Sequence, residues 1–146
     1  MKSYFDTSFL VSLYLPDANF AAAAKAAQAV ASPIELNPFG HIELVNAVSL
    51  RVFRKEISRS QRTKVMAQIQ NDIASGFLSL VTHHTTVYEE AIRLARRHSV
   101  VLGTRSFDVL HVAAAILSGA TRFYSFDKRQ SKLARANRLT TPLAIP

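Results

Sequence analysis

Short β-prone runs recur along this chain, and helical segments separate them. Ser3–Tyr4–Phe5, Ile34–Leu36, residues 77–81 and residues 122–126 are the clearest of these runs, with residues 143–145 as a candidate last edge strand. Strands spaced by helices pair in parallel through crossovers, so the pattern predicts an α/β sandwich around a mainly parallel sheet. Only four glycines occur among 146 residues, few for an all-β protein. In open parallel sheets, ligands bind beyond the carboxyl ends of the strands. Functional residues are therefore sought there first.

The helical segments carry their own punctuation. Residues 7–15 read as a helix, and the alanine-rich residues 19–31 as another. Asn37 followed by Pro38 is a helix-start signal, with Asn as the cap and Pro at the first helical position. That helix is predicted to run to about Lys55, and the next to span residues 58–75 and stop at Gly76. Further helices are predicted over residues 85–98, 106–118 (closed by Gly119) and 127–137. No repeat, low-complexity stretch or Pro/Gly-rich linker divides the chain, and its length suits one domain over residues 1–146.

Apolar residues make up 49% of the chain and charged residues 19%, enough to bury a core and too apolar for a disordered chain. Cysteine is absent, which excludes disulfides, thiolate metal sites and a cysteine nucleophile. Eighteen Lys and Arg against ten Asp and Glu give a net charge of +8, which favours a polyanionic partner such as nucleic acid. Near the amino terminus, Asp6 stands between Lys2 and a short apolar stretch closed by Pro16–Asp17. A secretory signal tolerates a carboxylate there poorly. The expectation is a soluble, cytoplasmic protein with no membrane span.

With so few acidic residues, their positions can be read one by one. Asp6 and Asp127 end β-prone runs, while Glu43 and Asp108 lie near predicted helix starts. Taken singly, Asp6 and Asp127 read as helix caps, worth about 1 kcal/mol each. Asp108 reads as a first-turn carboxylate favoured by the helix dipole, and Glu43 as a surface glutamate. The conjunction points elsewhere, because both kinds of position can face the same crevice in a parallel α/β fold. Clustered carboxylates repel one another unless a cation neutralises them, and a divalent ion is the economical neutraliser.

Four stretches carry a family resemblance: Tyr4–Phe5–Asp6–Thr7–Ser8, Ile42–Glu43–Leu44, Asp108–Val109–Leu110–His111–Val112–Ala113 and Tyr124–Ser125–Phe126–Asp127–Lys128–Arg129. In order and spacing they resemble the four acidic motifs of PIN-domain nucleases, most closely the VapC-type toxins of bacterial toxin–antitoxin pairs. Members often have Thr where Ser125 stands, and Ser keeps the hydroxyl. The resemblance implies a single PIN-like three-layer α/β/α domain with a mainly parallel central sheet. It further implies a metal-dependent endoribonuclease in which Asp6, Glu43, Asp108 and Asp127 are catalytic and hold one or two Mg²⁺ or Mn²⁺ ions. Hard oxygen ligands suit these ions, which activate water and offset charge on a scissile phosphate.

Around that set, Thr7, Ser8 and Ser125 are candidates to orient ligands or bound water, or else plain helix-start hydroxyls. Arg105, Lys128 and Arg129 adjoin candidate ligands and are the best phosphate contacts, giving binding that weakens as salt rises. His111 lies one helical turn after Asp108, either orienting it or packed in the core, and His83–His84 lacks a third ligand for zinc. The implied partners are RNA, a cognate antitoxin that blocks the site, and a second copy in a homodimer. Phe9, Leu13, Val52 and Phe53 are candidate antitoxin anchors. The main alternative is a non-catalytic PIN-like nucleic-acid-binding or interaction module, which predicts loss of a carboxylate. A phosphatase with Asp6 as nucleophile fits less well, since such sites resemble Asp–x–Asp and position 8 is Ser.

Overall fold

A computed structural model describes residues 1–143. Its elements run β1 (Ser3–Phe5), α1 (Thr7–Tyr14), α2 (Phe20–Gln28), β2 (Ile34–Leu36), α3 (Pro38–Phe53), α4 (Arg59–Ser75), β3 (Leu78–Leu80), α5 (Thr86–Leu102), α6 (Ser106–Leu117), β4 (Arg122–Tyr124) and α7 (Lys128–Ala136). Part of the candidate edge strand at 143–145 lies outside the described residues. The chain forms two compact units, one of Met1–Ser8 with Thr82–Pro146 and the other of Phe9–Val81. Each contains one parallel strand pair, β1 with β4 and β2 with β3.

In the Phe9–Val81 unit, Ile34 and Leu36 face inward and pair in register with Leu78 and Leu80. A parallel pair needs a long crossover, and α3 and α4 supply it. Asn37 starts α3 by accepting a hydrogen bond from the Gly40 N–H at 2.8 Å, with Pro38 in the first turn. Ser58 and Gln61 close a reciprocal capping box on α4, and Gly76, at φ +81°, ends it in the left-handed region and turns the chain into β3. Leu36, Leu44, Val48, Ile69 and Leu78 are fully buried in this core, as are Phe9 and Leu10. Phe9 is therefore core and offers no surface to a partner, which corrects its reading as an anchor.

In the other unit, both faces of the β1–β4 pair are buried. Tyr4 stacks on Phe123 with ring centroids 5.4 Å apart, and Phe5 stacks on Tyr124 at 4.7 Å. On the far side of β4, the Thr140 carbonyl accepts from the Phe123 N–H, extending the parallel pattern by one bridge. α6 is apolar on most of its surface, with Val109, Val112, Ala113, Ala114 and Ala115 buried, and it packs against α5 and α7. α5 runs four residues beyond the predicted end at His98. Nothing in Ser99–Val100–Val101–Leu102 breaks a helix, and the stop comes at Gly103, φ +63°. Conversely, α2 ends at Gln28, short of the predicted residue 31, and Pro33 keeps Ser32 out of helical geometry. No helix among the described residues is long and apolar enough to cross a membrane.

Candidate active site

The carboxyl ends of β1 and β4 lie side by side, because the Asp6 N–H continues their ladder to the Tyr124 carbonyl at 3.1 Å. The residues just beyond these strands therefore meet. Asp6 is fully buried, and its two carboxylate oxygens accept from different serines, Oδ1 from Ser8 Oγ at 2.7 Å and Oδ2 from Ser125 Oγ at 2.5 Å. Ser8 Oγ in turn accepts from the Phe126 N–H, and Ser125 Oγ from the Asp127 N–H, each at 2.9 Å. Those bonds explain why β4 stops at Tyr124 rather than 126: the next two backbone N–H groups after Ser125 are spent on hydroxyls instead of a ladder.

Asp127 caps α7 through Oδ1, which accepts from the N–H groups of Arg129 and Gln130 at 2.8 and 2.9 Å. Its other oxygen, Oδ2, accepts from the Arg105 guanidinium at 3.1 Å. The same guanidinium donates to both oxygens of Asp108, at 3.2 and 3.3 Å, and the Arg105 backbone N–H donates to Asp108 Oδ2 at 2.7 Å. Asp6, Ser125, Asp127, Arg105 and Asp108 thus form one hydrogen-bonded chain. Its members differ in access to water. The Asp108 side chain is 2% exposed, that of Asp127 26% and that of Arg105 64%.

Lys128 and Arg129 are exposed at the start of α7, and they line a cleft of about 370 Å³ together with Leu102, Arg105, Asp127 and Lys132. Thr7 hydrogen-bonds His111 Nε2 at 3.2 Å, and the other ring nitrogen of His111 meets Tyr4 Oη at 2.8 Å. His111 is fully buried and ties α6 to β1 and to the first residue of α1. Glu43 lies in the second turn of α3, half-buried, in the Phe9–Val81 unit. Sequence reasoning missed the double engagement of Arg105. Its backbone bond to Asp108 is legible, as a carboxylate three residues into a helix reaching back to the start. Its bond to Asp127 depends on the tertiary fold.

The sequence matches the PIN domain family over residues 3–136. The chain belongs to that family. No curated protein matches the sequence in pairwise comparison. Among solved structures, this PIN protein is similar to the VapC20 toxin of Mycobacterium tuberculosis, described as cleaving the sarcin–ricin loop, at 18% identity. That match covers 90% of this chain and 94% of the other, with a TM-score of 0.69. A toxin–antitoxin complex from Klebsiella pneumoniae is similar at 14% identity, over 99% of this chain and 100% of the other, with a TM-score of 0.67. At these identities the likeness is one of fold, and the chain has the PIN-like α/β/α fold.

Proposed function

We propose that this PIN protein is a metal-dependent endoribonuclease and the toxin of a bacterial toxin–antitoxin pair, acting in the cytoplasm as a homodimer. One family match runs through both compact units, which supports a single PIN-like domain. The observation that carries the catalytic reading is the linked set Asp6, Asp108 and Asp127. Two of these carboxylates are essentially sealed from water. Burying an ion costs several kcal/mol unless it is well partnered, so a fold gains little stability from such a set and keeps it for chemistry. A non-catalytic module has no use for it.

The donor set fits a hard divalent ion, since it offers carboxylate and hydroxyl oxygens and no sulfur. In the arrangement described, no three His, Asp or Glu side chains among the described residues surround a common point, and Arg105 stands between two of the carboxylates. Asp6, Asp108 and Asp127 would hold Mg²⁺ or Mn²⁺, with Glu43 added on the strength of its motif. When bound, such an ion supplies an activated water and offsets charge on the scissile phosphate. The serines do the positioning. Ser8 and Ser125 fix both oxygens of Asp6, and backbone N–H groups fix the serines. Arg105, Lys128 and Arg129 would bind RNA phosphates along the cationic cleft.

The antitoxin reading rests on the VapC-like motifs and on the likeness to a toxin–antitoxin complex. Phe53 is 82% exposed at the end of α3 and Leu13 and Val52 are half-buried, which leaves these three as anchors. Purified protein incubated with single-stranded and structured RNA tests the proposal. Cleavage with Mg²⁺ or Mn²⁺, its loss in EDTA and a drop of at least about 100-fold in Asp108→Asn are expected. Undiminished cleavage in chelator overturns the metal mechanism. RNA binding without turnover favours the non-catalytic module.

A further inference from the structure

We propose that Arg105 is a built-in competitor of the divalent ion, an inference that rests on the metal-nuclease reading above. Its guanidinium holds Asp108 and Asp127 when no ion is present, and releases them into ion coordination by turning into the cleft beside Lys128, Arg129 and Lys132. Three observations carry this. First, one side chain engages three oxygens of Asp108 and Asp127, two of the carboxylates proposed above to hold the ion. Second, burial is asymmetric. The Asp108 side chain is sealed at 2% exposure, whereas that of Arg105 is 64% exposed and loses little by returning to water. Third, the Arg105 backbone N–H keeps its 2.7 Å bond to Asp108 whichever way the side chain points, so helix α6 stays capped while the guanidinium changes partner.

The exchange has a consequence for substrate. Arg105 already lines the cleft with Lys128, Arg129 and Lys132, and a guanidinium released from the carboxylates frees its charge to meet a polyanion there. Ion and polyanion then favour the same side-chain state, and each strengthens binding of the other.

Titration calorimetry with Mn²⁺ alone tests the competition without any turnover. Arg105→Gln is expected to bind Mn²⁺ about tenfold more tightly than the parent, because an ion no longer has to break the paired contacts. In thermal melts without metal the same variant melts lower, and Mn²⁺ raises its Tm by more than it raises the parent's. Arg105→Lys keeps the charge but loses the fork, and is expected to tighten binding by about threefold. It also serves if Arg105→Gln does not fold. Lys128→Gln, removing an exposed charge from the same cleft, should shift affinity by no more than about twofold. Equal Mn²⁺ affinity in the parent and the Arg105 variants overturns the proposal while leaving the metal-nuclease reading intact. An equal gain in Lys128→Gln also overturns it, since the effect is then one of general field. Absence of Mn²⁺ binding in every protein overturns both.

Discussion

The two compact units share a plan and differ in what they bury. Each has one parallel strand pair whose first strand ends in an Asp or Asn that leads into a helix: Asp6 after β1, Asn37 after β2. Asn37 is neutral, and its side chain completes the first turn of α3. Asp6 is acidic and fully buried, and it accepts from Ser8, two residues on in α1, and from Ser125, which directly follows the other strand of its pair. The contrast extends through both units. Buried polar residues in the Phe9–Val81 unit are Ser12 and Asn37, whereas the other unit buries Asp6, Thr7, Asp108, His111, Ser125, Gln130 and Ser131. One plan thus serves two ends. A neutral amide satisfies local backbone groups at low cost, while buried carboxylates need a network and keep a charge available.

Exchanging the character of the two strand-end residues is the strongest way to break this contrast. Asp6→Asn is expected to lower RNA cleavage by at least about 100-fold while the fold persists, since the serine hydroxyls can rotate to suit an amide. Circular dichroism beside the cleavage assay checks both halves. A Tyr14→Phe change in the other unit should cost about 1.5 kcal/mol of stability, because Tyr14 Oη donates to Asp72 at 2.5 Å and the bond is charge-assisted. Burial, with Asp72 adding to it, pushes the Tyr14 phenol well above its ordinary range. Its neutral form is thus favoured by folding. The stabilisation is complete below the ordinary phenol value, about 10, and is lost as pH rises beyond it. Urea melts should therefore show the gap between parent and variant narrowing in alkali.

Smaller effects sharpen the comparison. Asn37→Ala removes the α3 cap and should cost about 1 kcal/mol without changing cleavage per folded molecule. A loss of specific activity there would mean that the neutral strand end also serves catalysis. The smallest effect belongs to the exposed pair Glu90–Arg93 on α5. The hydrogen bond from Arg93 holds the Glu90 carboxyl below its ordinary range. That contribution is present above the ordinary carboxylate value and lost as pH falls. Glu90→Gln should lower Tm barely detectably at neutral pH and not at all in acid.

Much of this was legible because it is local. Asn37–Pro38, Ser58 with Gln61, and Gly76 set helix ends through bonds and backbone angles reached within four residues. The four acidic motifs were legible as a pattern. Less legible were the end of α5, where four residues without a breaker extend the helix to Gly103, and the role of Phe9, whose burial no local signal gives. His111 is similar, since its partners Tyr4 and Thr7 lie more than a hundred positions away along the chain.

The amino-acid sequence by itself determined the alternation of strands and helices, the PIN family and which carboxylates are candidates, because each depends on residue type and order. The tertiary structure alone decided how charge is balanced among them. From composition, a divalent ion was the expected neutraliser. In the fold, Arg105 bridges Asp108 and Asp127, and Ser125 bridges Asp127 to Asp6. Such bonds join residues far apart in the chain through a few ångströms of geometry, and no local propensity encodes that distance.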